Sequence, residues 1–322
     1  MNIAVLALDG VFDTGLASVC DTFTTANELA ALQQLPAPRF DITIVGVRKQ
    51  VNTALGLRVP VQPVSACPQP DWVVVPALGT KMPEPLVQAL ARPDTRDGAA
   101  QLGDWHGGGA RMAAACIGGF LLAESGLLEG HEATTTWWLG PLFRQRYPGV
   151  RLDESRMLVP SGDFVTAGAA IGHLDLALWL VRQASPELAV MVARYLLVDS
   201  RPSQAAFMIP DHLAHADPLV QRFERWARGR LDQGFSLDAA ADALATSKRT
   251  LQRRLEAVLG KSPLSYFQDL RVERAVHLLR TSPADIEKIA AEVGYADGVT
   301  LRTLLRKRLG RGVRELRGAR AR

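Results

Sequence analysis

Apolar residues recur along the chain in two different rhythms, and the change between them falls near residue 200. Asn2 to Leu8 is an almost continuous apolar run closed by Asp9-Gly10, which predicts a buried strand entering a turn. A helix is expected from about Gly15 to Leu32, closed by Pro36 and Pro38. Phe40 to Val47 alternates and is β-branched, Asp71 to Val75 reads DWVVV, and Arg111 to Ala115 is a run of small apolar residues; all three predict strands. Val150 to Val159 and Phe164 to Thr166 predict a hairpin around Ser161-Gly162, followed by an apolar helix from Ile171 to Val181. Strands alternating with helices imply an α/β unit with a parallel sheet covered on both faces. The Pro-rich, weakly patterned stretch from about Ser200 to Pro218 predicts a linker. From Leu219 the period becomes helical and stays so.

Within the helical region a single pattern is written twice. LDAAADALATSKRTLQRRLEAVLG (Leu237 to Gly260) and IEKIAAEVGYADGVTLRTLLRKRLG (Ile286 to Gly310) each give a short apolar helix, a tight turn and a longer basic helix. Ala241 and Ala290 correspond at an offset of 49, Leu251 and Leu301 at 50, so one residue is gained in the second turn. Gly294 supplies that turn where the first copy has Ala245. Two copies make a pair of helix-turn-helix units joined by a helix from Pro263 to Arg280, whereas a solenoid needs at least about three. In the long helices, Leu251, Leu255 and Val258, then Leu301, Leu305 and Leu309, form the packing stripes. The opposite faces carry Arg249, Gln252 and Arg253 in one copy, and Arg302, Thr303 and Arg306 in the other. Arg and Gln match the hydrogen-bonding edges of guanine and adenine, while flanking Lys and Arg suit phosphates; Ser247, Lys248 and Lys307 complete the expected DNA-binding set.

On these residues the segment from about Leu219 to Leu316 resembles an AraC-type DNA-binding domain. The match is carried by Ala240-Ala241, Ser247, Arg249, Leu251, Arg253, Leu255, Gly260, Ser262-Pro263 and Tyr266 in the first half. Arg271, Ala275, Leu278-Leu279, Gly294-Tyr295, Asp297 and Gly310 carry it in the second. Thr303 stands where such domains commonly have Arg, Leu301 and Leu305 replace a usual Phe pair, and Val313 replaces a late Pro.

Charge sharpens the division. The 322 residues carry +4 overall, but from Gln221 onward 22 Lys and Arg face 12 Asp and Glu, a balance of +10. The preceding residues hold 15 against 21, a balance of −6. A basic, patterned third on an acidic body is the electrostatic footprint of a nucleic-acid partner. The three cysteines, Cys20, Cys67 and Cys116, have no paired spacing, which argues against a disulfide framework or a zinc site. The opening MNIAVLALDG lacks the basic start of a signal peptide, and no apolar stretch reaches membrane-spanning length, so a cytoplasmic chain is expected.

The candidate chemistry before residue 200 lies in RMAAACIGGFLLAESGLL, Arg111 to Leu128. A strand runs straight into Cys116, and Gly118-Gly119 open a helix. This predicts a tight strand-to-helix turn that exposes the sulfur at the carboxyl end of the sheet and lowers its pKa. A nucleophilic cysteine needs a base, and the next residue is Ile117. His106 before Gly107-Gly108-Gly109 has the form of an oxyanion motif but is better read as the end of a helix. His212 and His215, with Asp211 and Asp217, lie in the linker and are read as solvating it rather than holding a metal.

The first two-thirds also resembles the PfpI-like branch of the class I glutamine amidotransferase-like superfamily, as arranged in GlxA-type regulators. The match rests on Cys116, Gly118, Leu122-Ala123, Gly126-Leu127-Leu128, Gly130, Ala133-Thr134-Thr135, Trp137, Thr166, Gly168 and Asp175. In enzymes of that branch the cysteine is followed by His and faces an acid from the first strand-helix loop. Here Ile117 takes the place of that His, Thr136 stands where regulators often carry His, and Gly15 holds the acid's position.

The resulting expectation is a flavodoxin-like, doubly wound, mostly parallel α/β domain over residues 1–200, a linker over 201–218, and an all-α domain with two helix-turn-helix units over 219–322. The expected function is a transcription regulator, not an enzyme, with operator DNA as partner. A small effector would bind near Cys116, Ile117, Gly118, Thr136 and Trp137, and Trp137 and Trp138 could box a cation. A homodimer through the first domain is expected, with no cofactor and no metal. The alternative is a cysteine-dependent hydrolase or glyoxalase-like enzyme with a DNA-binding appendage.

Overall fold

A computed structural model describes residues 1–199, 203–204 and 217–318. Most of the expected linker, with His212 and His215, lies outside the described residues. The chain divides into two compact units, Met1–Gln204 and Ala205–Arg322.

The first unit is built on a seven-stranded sheet. Its strands are β1 (Asn2–Leu6), β2 (Asp41–Gly46), β5 (Gln62–Pro63), β6 (Trp72–Val75), β7 (Arg111–Ala115), β10 (Leu158–Ser161) and β11 (Phe164–Ala167). Their order is β10-β11-β7-β6-β1-β2-β5, and every pairing is parallel except β10 with β11. Two-residue strands make two small ribbons: β3 (Val51–Asn52) with β4 (Arg58–Val59), and β8 (Glu132–Ala133) with β9 (Arg151–Leu152).

The side-chain period of two sends alternate residues of each central strand to opposite cores. Ala4, Leu6, Val73, Val75, Met112 and Ala114 pack under α2 (Pro83–Leu90), α3 (Pro93–Gly107) and α4 (Gly118–Glu124). Ile3, Val5, Val74, Ala113, Ala115 and Val165 pack under α1 (Asp13–Gln33), α6 (Gly172–Ala184) and α7 (Pro186–Tyr195). Burial on both faces is why these strands read as unbroken apolar runs. The doubly wound α/β fold expected from the sequence is present. One element differs: the hairpin arm expected over 150–159 is really two pieces. Arg151–Leu152 pairs with Glu132–Ala133, and only Leu158–Ser161 pairs with Phe164–Ala167. Asp153 starts the break, its carboxylate accepting from the Ser155 N–H and hydroxyl.

The second unit is all helical, as expected: α8 (Pro218–Arg228), α9 (Leu237–Ala243), α10 (Lys248–Leu259), α11 (Pro263–Thr281), α12 (Ile286–Glu292), α13 (Gly298–Leu309) and α14 (Val313–Gly318). α5 (Gly140–Arg146) belongs to the first unit. Six of these helices start on a side-chain cap from Asp217, Ser236, Ser247, Ser262, Asp285 or Asp297, each accepting an otherwise unpaired N–H. Gly260 and Gly310 end α10 and α13 in the left-handed conformation, at φ 63° and 67°. The packing stripe of α10 is Leu251, Leu255 and Leu259, with Val258 only partly buried, so the stripe turns one residue from the expected position. The long α11 serves both helix-turn-helix units: Tyr266, Phe267 and Leu270 are buried in its first half, and Val272, Ala275 and Leu279 join Ile289, Leu301 and Leu305 in its second.

Candidate effector site and nucleic-acid interface

Cys116 stands at the end of β7 in the left-handed conformation, φ 56°, which is the sharp strand-to-helix turn the sequence predicted. Its N–H donates to Ala167 O at 2.8 Å, and its carbonyl accepts the Thr135 hydroxyl at 2.8 Å. Gly118 is required by packing, because a Cβ there would lie 2.1 Å from Val75 O. The Ile117 side chain belongs to the core under α4 and does not line an open space.

The thiol itself departs from expectation. Burial pushes Cys116 up to about 11, outweighing a hydrogen bond from the Ile117 backbone and another from the Thr136 hydroxyl, both of which favour the thiolate. The expected lowering of its pKa is therefore overturned: the turn geometry is present, but at 5% exposure desolvation wins. Cys20 is likewise raised to about 11, first by burial and then by the Asp21 charge.

His173, which sequence reasoning passed over, controls the other side of this sheet end. It comes from α6 and is completely buried. Its Nε2 accepts the Ala77 N–H at 3.0 Å, and its Nδ1 donates to Ala170 O at 2.7 Å. Both ring nitrogens are thus engaged with backbone, and burial lowers its pKa to about 4, against a smaller opposing effect of the Ala170 carbonyl. A neutral imidazole with its acceptor occupied has no lone pair left to take a proton from a thiol. A Cβ on Gly15 would meet this ring at 2.6 Å, so its absence could have signalled a bulky neighbour.

Loops from several strands converge at the same carboxyl edge. Phe12 N donates to Ala77 O and Gly79 N to Gly10 O, both at 2.8 Å, while the Trp138 indole donates to Lys81 O at 3.0 Å. Trp137 is half-buried, and its ring meets that of Trp138 edge-on at 5.5 Å rather than forming a parallel-walled box. Asp13 Oδ2 accepts the Leu55 N–H at 3.1 Å. Among the described residues, Asp13 Oδ1, Thr80 Oγ1 and Thr136 Oγ1 are buried with no nitrogen or oxygen partner. Buried polar atoms without partners mark places where a polar ligand or water is accommodated. Gln204 adds a fourth: its Nε2 donates to Thr135 O at 2.9 Å while its Oε1 is unpartnered. A hydrogen-bonded chain therefore runs from the Cys116 carbonyl through Thr135 to Gln204, at the end of the first unit. Among the described residues no group of three or more His, Cys, Asp or Glu side chains is placed to hold a metal.

In the second unit Ser247, Lys248, Arg249, Gln252, Arg253, Arg302, Thr303, Arg306 and Lys307 are all exposed. Neighbouring cations are tied down inside the unit: Arg254 to Asp217 at 3.2 Å, and Arg308 to Asp269 at 3.1 Å. By contrast, the side chains of Arg249, Gln252, Arg253, Arg306 and Lys307 have no hydrogen-bond or ion-pair partner among the described residues. Lys248 is paired with Asp238 at 2.6 Å, and Thr303 spends its hydroxyl on Val299 O at 3.0 Å. An open groove of about 1080 Å³ runs along α13, lined by Arg302, Thr303, Arg306 and Lys307 and by Arg314 of α14. Arg271, only 9% exposed, braces the unit from within. It donates to Leu231 O at 2.9 Å and to Gln233 O, with its guanidinium over the rings of Phe267 and Tyr295.

Residues 240–319 match the family described as "Helix-turn-helix domain", which covers both units of the repeat. The chain is 26% identical over 191 residues to the HTH-type transcriptional regulator GbdR of Pseudomonas aeruginosa, an alignment covering 58% of this chain and 52% of that protein. It thus spans about half the length of the curated relatives it matches first. The first unit has the fold of an AraC family transcriptional regulator from Pseudomonas putida, at TM-score 0.50 and 22% identity over 61% of this chain and 98% of that one. A THiJ/PfpI family protein from Pseudomonas syringae shares it at TM-score 0.50 and 20% identity, over 62% of this chain and 76% of that one. The amino-terminal fold is therefore PfpI-like, and the carboxy-terminal unit is a helix-turn-helix domain.

Proposed function

We propose that this protein is a transcription regulator that binds operator DNA through α10 and α13 and senses a small metabolite at the carboxyl edge of the first unit's sheet. The observation that carries the reading is the unpaired face of α10. Arg249, Gln252 and Arg253 project from a rigid, doubly capped helix with no intramolecular partner, which suits insertion into a major groove. GbdR, one of the relatives with which the chain aligns, is named a transcriptional regulator. The effector would lie near Cys116, Thr136 and Trp137, where buried oxygens of Asp13, Thr80 and Thr136 await donors. Ile117 and Gly118 would shape that site through packing.

The enzyme reading is weaker because the thiol is protonated at neutral pH and the His173 nitrogens are both engaged. We place the protein in the cytoplasm with its DNA, as a homodimer held by residues before Ser200, since doubled sites multiply specificity. A fragment beginning at Asp217 that still sediments as a dimer would reverse that assignment. Selection of bound duplexes from a random library with the full chain tests the whole reading. Enrichment of a recurring motif is expected, and uniform recovery of all sequences would exclude sequence-specific regulation. Mass spectrometry of the purified protein under native conditions would identify a retained metabolite.

A further inference from the structure

The two helix-turn-helix units carry an acid at the same place, and the structure gives the two acids different work. Asp238 in α9 and Glu287 in α12 are 49 residues apart, the offset that also relates Ala241 to Ala290. Each sits on the short helix facing the start of the following long helix. In the first unit that start is Lys248, and its ammonium lies 2.6 Å from Asp238, so the acid is neutralised. The corresponding residue of the second unit, at the offset of 50, is Gly298. With no side chain there, Glu287 reaches the backbone: its Oε2 accepts the Gly298 N–H at 2.6 Å. A Cβ on Gly298 would lie 2.5 Å from Glu287 Oε1, so the glycine is what admits the carboxylate. Its other oxygen lies 3.7 Å from Arg302 Nη2, on the exposed face of α13.

This arrangement bears on DNA binding more than on stability. An ion pair this exposed contributes little to stability. The start of a helix, however, is where free N–H groups and the helix dipole otherwise attract a phosphate. Two carboxylates already stand there, the Asp297 cap and Glu287; both repel a phosphate, and Glu287 holds back the nearest arginine as well.

Resting on the DNA-binding reading above, we propose that Glu287 is a specificity-determining residue: beside the Asp297 cap, which already closes the α13 N-terminus, it withholds Arg302 from the phosphate backbone and so lowers sequence-independent affinity. The second unit then takes phosphates further along α13, at Arg306 and Lys307, and Arg302 is released only where a site offers more than a phosphate.

The test is Glu287→Gln in the full-length protein. The amide oxygen still accepts the Gly298 N–H, so the melting curve should not move. Binding to a random-sequence 30-base-pair duplex, followed from low to physiological salt, should tighten about 3–10-fold. The slope of log K against log salt should steepen by about one, for one phosphate gained. Adding Arg302→Ala should cancel most of that gain. Unchanged affinity and slope in folded Glu287→Gln, or a gain that persists in full without Arg302, would overturn the inference while leaving the DNA-binding reading intact. A wild-type chain that binds no duplex at any salt would overturn both.

Discussion

A Cβ on Gly15 would stand 2.6 Å from Nε2 of His173, so the imidazole from α6 fills the space that a side chain at position 15 of α1 would need. The family resemblance read from the sequence implies, for its enzymes, an acid from this strand-helix connection that faces the cysteine. Here the space is taken by a neutral, fully bonded ring. One substitution in α1 could not restore an acid without also removing His173.

His173 makes the first unit sensitive to acid. Its folded pKa is about 4, below the ordinary value of 6.5, so between those limits the unfolded chain binds more protons than the folded one. Its contribution is complete above about pH 6.5 and is lost as pH falls towards 4, with about 2 kcal/mol gone between pH 7 and 5. Tryptophan fluorescence reports mainly on this unit, which holds five of the six tryptophans. Urea midpoints at pH 7 and 5 should differ in the wild type and draw together in His173→Leu, which is less stable at pH 7 because the Ala77 N–H loses its acceptor. Equal wild-type midpoints at the two pH values would contradict the prediction.

Thiol reactivity should follow burial rather than turn geometry. Cys67 is the least buried of the three, while Cys20 and Cys116 are both raised to about 11. In the native protein at pH 8 a disulfide reagent should modify Cys67 first, and Cys116 only after denaturant is added. Fast modification of Cys116, or consumption of methylglyoxal that disappears in Cys116→Ala, would favour the hydrolase or glyoxalase reading.

The two long helices should not contribute equally to DNA binding. Arg253→Ala removes a partnerless base-reading side chain and should cost about 1–3 kcal/mol on a selected operator, relaxing preference at one position. Arg306→Ala or Lys307→Ala should weaken all sequences alike and lower the salt slope by about one unit each. Selection profiles and salt titrations of each variant would show the reverse assignment if Arg306→Ala erased base preference.

Ala245 and Gly294 hold the same turn conformation in the two units, φ 50° and 77°. Alanine is strained there, so Ala245→Gly should stabilise the helical domain by about 0.5–1 kcal/mol. Gly294→Ala should cost several-fold more, because its Cβ would meet Arg271 Nη2 at 2.3 Å and Leu231 O at 2.5 Å. Thermal melts of the two variants should therefore shift in opposite directions, and matching shifts would show that the turn, not the Arg271 brace, sets the cost.

Much of the architecture was readable from local rules. The repeat and the strand-Cys116-helix turn follow from residues close together in sequence, where spacing and turn chemistry act directly. The pKa of Cys116 was not, because its burial belongs to a core that also draws on β1, α2 and α5, far from it in sequence. His173 was hidden for the same reason: 158 positions separate it from Gly15, and nothing near either residue names the other. The hairpin arm expected over Val150 to Val159 runs too long because apolar residues at both ends hide the turn at Asp153-Glu154-Ser155, where the pairing partners change. The acid pair Asp238 and Glu287 was visible in the aligned repeat, but its meaning depends on Lys248 being exchanged for Gly298.

The margins of the large sheet have a consequence for assembly. Its outermost strands are β10 and β5; the first contains Pro160, and the second is two residues long and ends in Pro63. Proline offers no N–H to a neighbouring strand, and a two-residue strand gives little to pair with. Neither margin is a template on which another copy could continue the ladder. Any association of first units would therefore run through helices and loops, and the same two prolines work against growth of the protein by sheet extension.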